Sequence, residues 1–469
     1  MSSPPSIHLT FDRGTLVLSG LGDGEAAAIL ADGPWRWDPR VSAWRCDAIH
    51  YAEASKALAA GLGDAFCDDV PPPARVVWGE VSLPPLRPEQ HEALDAWRAA
   101  ACRGQVIMPT GTGKTEVALA AMHELSVATL VVAPVRDLMY QWHQRILRRL
   151  SFDAGILGDN RHNVKHVTVT TYDSAYIHMP DLGARFGLVV FDEEHHLPGP
   201  SRREAALACA APRRLGLSAT PERADGLHAD LDWLIGPVVF RQKLAGARGK
   251  TLADYSVVRV PVALVEEEQA RYERAGDAVR SFIAERRQDT PDYDWKSLCA
   301  ESGKDPEARK AQKAFYVRKS IEDRASEKFR VLEDIFRLHA GERVLIFAGS
   351  NAMAMDVSRR FLVPTLLAHS RKRERLQVLE GFASGRFPVI VANQVLDEGV
   401  DVPEAKVAVV IGGQASTRQA KQRLGRILRR IGLMQATLYE VVCQDTREEE
   451  RSRQRRRSDA YERPTRRRL

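Results

Sequence analysis

The chain has 469 residues, too many for a single hydrophobic core, so we expect three or more domains. Its 44% hydrophobic and 28% charged residues are ordinary for a soluble, intracellular globular protein, and the lack of a long apolar run or signal-peptide pattern argues against a membrane or secreted protein. The net charge is only +6, and the six cysteines never have the C-x-x-C spacing of zinc or iron–sulfur sites.

Residues 1–82 predict a small separate domain. The apolar runs Ile7–Phe11 and Thr15–Leu18, broken by Gly and Asp, indicate strands and turns. A cluster of Trp and Arg begins at Trp35–Asp38, and such a cluster either stacks on nucleic-acid bases or forms the aromatic core of the small domain. The proline run at 71–73 predicts a linker.

A phosphate-binding loop follows at Met108–Thr115. The apolar strand Gln105–Met108 leads into it, and a helix with apolar residues at 3–4 spacing follows, which is the context that such a loop requires. The glycines let backbone amides point at a polyphosphate, the lysine adds charge for the outer phosphates, and the last hydroxyl is a ligand for Mg²⁺. The predicted nucleotide-binding residues of this loop are Thr110, Gly111, Thr112, Gly113, Lys114 and Thr115.

Two carboxylates follow a later strand of the same series. The β/α alternation continues through Thr129–Ala133 and Val167–Thr170 to Leu188–Phe191, which runs directly into Asp192 and Glu193. The carboxyl ends of buried parallel strands are where α/β sheets bind ligands. Asp192 is predicted to hold Mg²⁺ and Glu193 to orient or deprotonate the attacking water, with an acidic surface loop as the alternative.

The segment beyond these carboxylates contains two weaker signals. His195 and His196 do not predict zinc, because no third ligand is spaced for it, and His195 is expected to bond within the site. Ser218–Thr220 follows the strand Leu215–Leu217 and could link the site to a neighbouring domain.

The strand pattern stops between residues 246 and 330. Glu266–Arg287 and Asp305–Lys328 are charged and amphipathic, and they predict either solvated helices or a helical insertion that guides a polymer. From Arg447 onward, ten Arg against five acidic residues predict non-specific contact with a nucleic-acid backbone, or a disordered solvated tail.

A second β/α series occupies residues 331–445. Its predicted strands are Arg343–Ala348, Pro388–Ala392 and Val407–Ile411. The series has no Gly-Lys-Thr of its own, so we expect it to contribute to the first site. Arg426 and Arg429, three apart on a predicted helix, would stabilise charge at a γ-phosphate; a basic solvated helix face is the alternative.

In this order and spacing, the segments resemble the motifs of the superfamily 2 helicases and translocases over about residues 83–445. The phosphate loop resembles motif I and Asp192–His195 resembles motif II. The remaining motifs are Ala133–Arg136 for motif Ia, Ser218–Thr220 for motif III, Asp397–Pro403 for motif V and Gln422–Arg429 for motif VI.

Within the superfamily, the chain looks most like the XPB family of DNA helicases, in a compact prokaryotic form. The features that carry this likeness are the small N-terminal block, the triplets Leu86-Arg87-Pro88 and Ala368-His369-Ser370, and the helical insertion, which is placed like a thumb. The family's Arg-Glu-Asp motif is here Arg223-Ala224-Asp225, without the central Glu.

The resemblance implies an α/β fold with two RecA-like parallel-sheet domains in tandem, a small N-terminal α+β domain and a helical insertion. The implied divisions are 1–82 for a DNA-binding domain like a damage-recognition domain, 83–245 for the first RecA-like domain, 246–330 for the thumb-like insertion, 331–445 for the second RecA-like domain and 446–469 for an Arg-rich tail.

It also implies ATP and Mg²⁺ as cofactors and assigns further residues. Gln90 would read the adenine. The second domain would complete the nucleotide site with Gly399, Asp401, Gln422, Arg426 and Arg429. Nucleic-acid contact or coupling is implied for Arg136, motif Ib near Gly158-Asp159, Thr170, Thr171, Ser218, Thr220, Arg223 and Asp225.

The implied function is an ATP-dependent 3′→5′ DNA helicase or translocase that binds DNA without sequence preference and acts in repair, in the prokaryotic cytoplasm near the nucleoid. The missing Glu at position 224 motivates an alternative, a double-strand translocase that does not unwind and serves a nuclease or defence complex. An RNA helicase is the second alternative. A binding module with an inactive ATPase fits least, since the loop and the carboxylates are intact.

Overall fold

A computed structural model describes residues 7–21, 30, 33–223, 225–243, 255–367, 369–393, 405–412 and 436–456. The chain divides into two units, Met1–Lys243 and Leu244–Leu469. Over the described ranges the first unit contains two sheets and the second contains one.

The N-terminal sheet has five short strands in the spatial order β3-β4-β2-β1-β5. Their bounds are β1 Ile7–Asp12, β2 Thr15–Ser19, β3 Arg36–Asp38, β4 Ala43–Asp47 and β5 Phe66–Asp68. Helix α1 spans Tyr51–Leu62 and packs Ala54 and Leu58 against Leu9 and Leu16 of the sheet. This arrangement is a small α+β domain.

The tryptophans of this domain divide between its core and its surface. Trp35 and Trp44 pack against the hydrophobic core, whereas Trp37 is 41% exposed and meets Trp44 edge to face at 5.4 Å. Trp35 and Trp44 therefore confirm the core interpretation for two rings, and base stacking by the exposed Trp37 stays a prediction.

The large sheet of the first unit has eight strands in the order β13-β6-β12-β11-β7-β10-β8-β9. Neighbours are parallel except for the antiparallel β8–β9 pair. The bounds are β6 Arg103–Ile107, β7 Thr129–Ala133, β8 Gly155–Gly158, β9 Arg161–Asn163, β10 Val167–Thr171, β11 Leu188–Asp192, β12 Arg213–Ser218 and β13 Val238–Arg241. The predicted strands of this region lie within about two residues of these bounds.

Helices cover both faces of this sheet. They are α2 Pro88–Ala99, α3 Lys114–Leu125, α4 Arg136–Leu150, α5 Tyr172–Leu182, α6 Glu204–Leu207 and α7 Leu231–Leu234. Alternate residues of the central strands enter two separate clusters: Val131 and Val190 belong to one, and Leu130 and Val189 to the other. Burial on both faces explains why these strands are continuous apolar runs.

The chain that follows the predicted linker at 71–73 packs along this domain. Val76 is buried and its amide donates to Ser126 O at 2.9 Å. The N-terminal domain is also attached directly, because Ile49 joins a core cluster of the large sheet and Arg103 pairs with Glu53 at 2.7 Å. The proline run therefore joins two domains that are packed together.

The second unit contains a parallel sheet of six strands in the order β14-β19-β18-β15-β17-β16. The bounds are β14 Tyr255–Val262, β15 Val344–Ala348, β16 Thr365–Leu366, β17 Val389–Ala392, β18 Val407–Ile411 and β19 Ala436–Cys443. Its helices are α8 Glu266–Asp289, α9 Trp295–Glu301, α10 Pro306–Arg324, α11 Ser326–Leu338, α12 Asn351–Phe361, α13 Lys372–Ala383 and α14 Arg447–Arg456.

The structure corrects the predicted helical region in two places. Strand β14 lies within the range where strands were expected to stop, and it pairs with β19 over eight residues, so that expectation is wrong. The single helix predicted for Asp305–Lys328 is two helices, because Ala325 has an extended backbone between them. Phe329 and Leu332 of α11 pack with the sheet core, whereas α8, α9 and α10 form the helical insertion.

The expected C-terminal tail begins with a structured helix. In α14, Glu448 is fully buried and accepts hydrogen bonds from the Lys328 ammonium. Arg451 pairs with Glu322 at 2.5 Å, and Glu449 pairs with Arg259 at 2.8 Å. A tail that starts at residue 446 is therefore wrong for residues 446–456, since these contacts hold the helix against the sheet domain.

No helix within the described ranges is long and apolar enough to cross a membrane. The six cysteines are all unpaired, and three of them are buried. Across the described residues, no group of three or more His, Cys, Asp or Glu side chains is arranged to hold a metal ion.

Candidate nucleotide and nucleic-acid site

The phosphate loop joins β6 to α3 at the carboxyl edge of the large sheet. Gly111 and Gly113 both have φ of +87°, a left-handed conformation that favours glycine. A Cβ at Gly113 would collide with the side-chain amide of Gln90. Gln90 is buried, donates to Thr112 O at 2.9 Å and accepts from Arg87 N at 2.8 Å. Its side chain thus braces the loop.

Lys114 begins α3 and carries a buried positive charge. Its Nζ has no hydrogen-bond partner in the described part of the chain and lies 3.6 Å from Glu193 Oε1. The Thr110 hydroxyl of the same loop is also buried without a partner there. A buried ammonium without hydrogen bonds beside a helix N-terminus fits an anionic phosphate group.

Asp192 ends β11 and Glu193 follows it in a left-handed conformation, with φ of +49°. Asp192 Oδ2 accepts a hydrogen bond from Trp142 Nε1 at 2.8 Å, and Oδ1 accepts from Glu193 N at 3.1 Å. Burial and the neighbouring charge of Glu193 raise the pKa of Asp192, although the Trp142 hydrogen bond and the charge of Lys114 oppose this. A bound cation would relieve the repulsion.

Thr115, the second residue of α3, presents the other predicted metal ligand. Its Oγ1 accepts a hydrogen bond from Arg145 at 2.7 Å. A carboxylate and a hydroxyl are the hard oxygen donors that Mg²⁺ takes in proteins, so Asp192 and Thr115 fit this ion. Trp142 and Arg145 were not predicted from the sequence, but their spacing of three residues on one helix is a signal that could have identified them.

Glu194 is a further residue of this segment without a predicted role. It is fully buried, and neither of its carboxylate oxygens has a hydrogen-bond partner within the described ranges. Burial, reinforced by the charge of Glu193, raises the pKa of Glu194 well above its usual value. The carboxyl lies against Gly216 of β12, where a Cβ would collide with it.

The motif III segment and the Arg223–Asp225 segment both contact motif II. Ser218 Oγ accepts from Thr220 N at 3.0 Å and lies 3.5 Å from His195 Nδ1. Arg223 donates to the His195 carbonyl oxygen at 2.6 Å and forms two hydrogen bonds with the carboxylate of Asp225. These bonds hold the pKa of Asp225 down at about 2. The structure therefore brings both segments to the nucleotide site.

A cavity of about 490 Å³ opens where α4 and α5 begin. Its lining residues are Pro134, Val135, Arg136, Asp137, Asp159, Thr171, Asp173 and Ser174. Two helix N-termini converge here, and the amides at such ends attract phosphate groups, although Asp137, Asp159 and Asp173 also line the cavity. Arg136 pairs with Asp159 at 2.7 Å. The cavity is thus the candidate nucleic-acid contact.

The predicted backbone contact at Thr170 is wrong for its side chain. Thr170 is 0% exposed because it lies within β10, and its hydroxyl donates to Leu157 O at 2.8 Å. Thr171, one residue later, lines the cavity and caps α5 by accepting from Ser174 N. The predicted residues of the second RecA-like domain lie outside the described ranges: Gly399, Asp401, Gln422, Arg426 and Arg429.

Three protein-family models match the chain. They are described as the xeroderma pigmentosum group B helicase damage recognition domain at residues 9–70, the type III restriction enzyme res subunit at 83–223, and the helicase conserved C-terminal domain at 327–431. The solved helicase domain of Pyrococcus furiosus Hef has a similar fold, with a TM-score of 0.55 over 79% of this chain and 98% of that one, at 16% identity.

Curated relatives decide the family. The DNA 3'-5' translocase XPB2 of Sulfurisphaera tokodaii is 41% identical over 372 residues, which cover 79% of this chain and 84% of the relative. The chain belongs to the XPB family of superfamily 2 helicases. Another relative, the DNA 3'-5' helicase XPB of Kineococcus radiotolerans, is 32% identical over 381 residues. The matched region covers 78% of this chain and 61% of that protein.

Membership in the XPB family confirms the predicted superfamily and the fold of two RecA-like parallel-sheet domains with a small N-terminal domain. The match at residues 9–70 coincides with the five-stranded sheet and α1, and the match at 83–223 contains the phosphate loop and motif II. An XPB family ATPase uses a nucleotide, which agrees with the predicted loop.

Proposed function

We propose that the chain is an ATP-dependent 3′→5′ DNA helicase or translocase that acts in DNA repair. The observation that carries this proposal is the buried Lys114 ammonium, which lacks a hydrogen-bond partner in the described residues and lies 3.6 Å from Glu193 at a helix N-terminus. Two relatives are named DNA 3'-5' translocase XPB2 and DNA 3'-5' helicase XPB, and these names support 3′→5′ movement and DNA as the substrate.

In this proposal each site residue has a separate role in phosphoryl transfer. Lys114 and the loop amides bind the outer phosphates, and Glu193 orients the attacking water and accepts its proton. Asp192 and Thr115 hold Mg²⁺, which supplies positive charge against the developing phosphate charge. The role of Arg426 and Arg429 at the γ-phosphate stays a prediction from the sequence.

The domain roles are part of the same proposal. The N-terminal domain binds DNA, and its exposed Trp37 supports a stacking contact. We assign residues 266–324 to the thumb-like insertion, since its helices lie between these bounds. We assign β14 to the second RecA-like domain, because it pairs with β19 of that sheet. We place the protein in the prokaryotic cytoplasm, near the nucleoid, because its substrate is DNA.

A second candidate is a double-strand translocase that does not unwind and works with a nuclease partner. Two observations favour it. Position 224 is Ala, where the family has the central Glu of its Arg-Glu-Asp motif, and the relative with 41% identity is named a translocase rather than a helicase. An RNA helicase has no such support.

The experiment that tests the function compares ATP hydrolysis in the presence of single-stranded DNA, duplex DNA and RNA. We expect DNA to stimulate and RNA to stimulate less; stimulation by RNA alone would contradict a DNA motor. Displacement of a strand from a 3′-tailed duplex then supports a helicase, whereas displacement of a triplex strand without unwinding supports the second candidate. Lys114→Ala and Glu193→Gln should abolish turnover while DNA binding persists, and retained turnover would contradict the assigned site.

A further inference from the structure

Helix α4 connects the two candidate sites of the first unit. Its first turn, at Arg136 and Asp137, lines the cavity that is the candidate nucleic-acid contact. Its middle turns contribute Trp142 and Arg145 to the nucleotide site. At 1.5 Å per residue, six to nine residues of helix separate these points by roughly 9–14 Å.

Trp142 and Arg145 each contact one of the two proposed Mg²⁺ ligands. The indole N–H of Trp142 donates to Asp192 Oδ2 at 2.8 Å, and both side chains are buried. The guanidinium of Arg145 donates to Thr115 Oγ1 at 2.7 Å. Because the two residues are three apart, they project from the same face of one helix toward two different strand–loop elements.

One face of α4 is held in the core of the first unit. Met139, Trp142, Ile146 and Leu150 are all buried in the core beneath the sheet, at spacings of three and four residues. A tightly packed interior transmits a displacement instead of absorbing it. A shift at Arg136 therefore reaches the hydrogen bonds of Trp142 and Arg145.

We propose that α4 couples nucleic-acid binding to metal binding, with Trp142 and Arg145 as positioning residues for the Mg²⁺ ligands Asp192 and Thr115. This inference rests on the proposed DNA-dependent ATPase and names one route by which DNA acts on its site. Groups that orient metal ligands strongly affect metal affinity, which is the basis for expecting a measurable effect. The coupling is also reciprocal, so Mg²⁺ must strengthen DNA binding by the nucleotide-bound protein by the same factor.

The test uses the full chain with Mn²⁺ in place of Mg²⁺ and a non-hydrolysable ATP analogue. Free Mn²⁺ is measured by electron paramagnetic resonance, with and without a single-stranded oligonucleotide, and oligonucleotide affinity is measured separately by fluorescence anisotropy. For the unmodified protein we expect the oligonucleotide to tighten Mn²⁺ binding about 5-fold or more.

Three variants separate a positioning role from a structural one. Trp142→Phe keeps the aromatic ring but removes the N–H, and Arg145→Gln removes the charged donor. Each should weaken Mn²⁺ binding by about 10-fold, and the oligonucleotide should no longer change the Mn²⁺ affinity of either variant. Without nucleotide, the affinity of each variant for the oligonucleotide should stay within about 2-fold of that of the unmodified protein. Arg145→Lys should restore part of the effect. Arg148→Gln, at an exposed position on the same helix, is the matched control.

The outcomes distinguish this inference from the proposed function. If DNA fails to stimulate ATP hydrolysis by the unmodified protein, the proposed function itself is wrong. If DNA stimulates hydrolysis but the oligonucleotide does not change Mn²⁺ binding, only the role of α4 is overturned. The same holds if the oligonucleotide tightens Mn²⁺ binding by Arg145→Gln as much as it does for the unmodified protein. The Arg145 variants decide the question even if Trp142→Phe fails to fold.

Discussion

Lys328 and Glu448 form an ion pair from which water is excluded. The Lys328 ammonium lies 2.7 Å from Oε2 and 2.9 Å from Oε1 of Glu448, and both side chains are 0% exposed. The Cys443 amide donates a further hydrogen bond to the same carboxylate at 2.9 Å. The pair therefore joins α11 and the C-terminal helix α14 to the end of β19.

Lys328→Met should strongly destabilise the second unit. The substitution leaves the buried Glu448 without its partner, which typically costs about 3–5 kcal/mol. Burial lowers the pKa of Lys328, but the charge of Glu448 more than offsets this, so the pKa is raised in the folded protein. The charged Lys328 therefore stabilises the fold fully below its unfolded pKa, and this stabilisation is lost as the pH rises through its folded pKa. Urea unfolding at pH 7 followed by circular dichroism measures the loss.

The double variant Lys328→Met/Glu448→Gln is the control for that experiment. It removes both charges, so it should recover much of the lost free energy of unfolding. Equal destabilisation by the single and double variants would contradict the ion pair as the cause.

Two C-terminal deletions should behave differently. Removing residues 457–469 takes away five Arg and two acidic residues and leaves α14 intact, so the thermal midpoint should stay unchanged. If these Arg contact DNA, the salt dependence of binding should flatten by roughly 0.9 per lost duplex phosphate contact. Removing residues 447–469 also deletes Glu448, so it should lower the thermal midpoint. An unchanged salt slope after the shorter deletion would assign the segment to solvated surface.

Arg223→Gln should reduce the DNA-stimulated rate of ATP hydrolysis more than the basal rate. The variant loses charge-assisted hydrogen bonds to His195 O and Asp225, worth about 1.5–3 kcal/mol, which corresponds to about a 10-fold loss or more if they form in the stimulated state. Steady-state ATP hydrolysis with and without duplex DNA measures both rates. Arg241→Gln, which removes an exposed pair with Glu222, is the matched control. Equal losses in both rates would contradict a coupling role.

Asp192→Asn should stabilise the metal-free protein at pH 7 while abolishing Mg²⁺-dependent hydrolysis. Burial and the charge of Glu193 raise the pKa of Asp192 in the folded protein. The folded protein therefore loses stability as the pH rises from the unfolded pKa of this carboxyl through its folded pKa. The stability difference between the variant and the unmodified protein should therefore vanish below about pH 3.9, the unfolded value. Thermal unfolding with a chelator present, across this pH range, measures it. A less stable Asn variant at pH 7 would contradict the direction of the shift.

Much of the geometry of the candidate nucleotide site could be predicted because its parts are contiguous in sequence. Gly111, Gly113 and Lys114 act through the backbone conformation of one short loop, and Asp192 is placed by the end of one apolar strand. The local sequence pattern is enough to predict such features, because residues that directly follow parallel strands lie together at the carboxyl edge of the sheet. The family resemblance rested on the same local segments.

The sequence was a weaker guide wherever a residue's partner lies far along the chain. Thr170 looked available for DNA, yet the neighbouring strand buries it against Leu157 O. The predicted helical region before residue 330 also included β14, although Tyr255–Val262 is rich in Val; this strand pairs with β19, about 180 residues later. The charged C-terminal segment predicts contact with nucleic acid or a solvated tail, yet Glu448 within it binds the buried Lys328.

The sequence by itself thus determined the chemistry of this protein: a phosphate loop, a pair of strand-end carboxylates and the family they indicate. Only the tertiary structure decided which side chains support that chemistry, because Trp142 and Arg145 reach Asp192 and Thr115 across 50 and 30 residues. Such contacts depend on how a helix packs against a sheet, and packing is set by the whole core rather than by any local pattern.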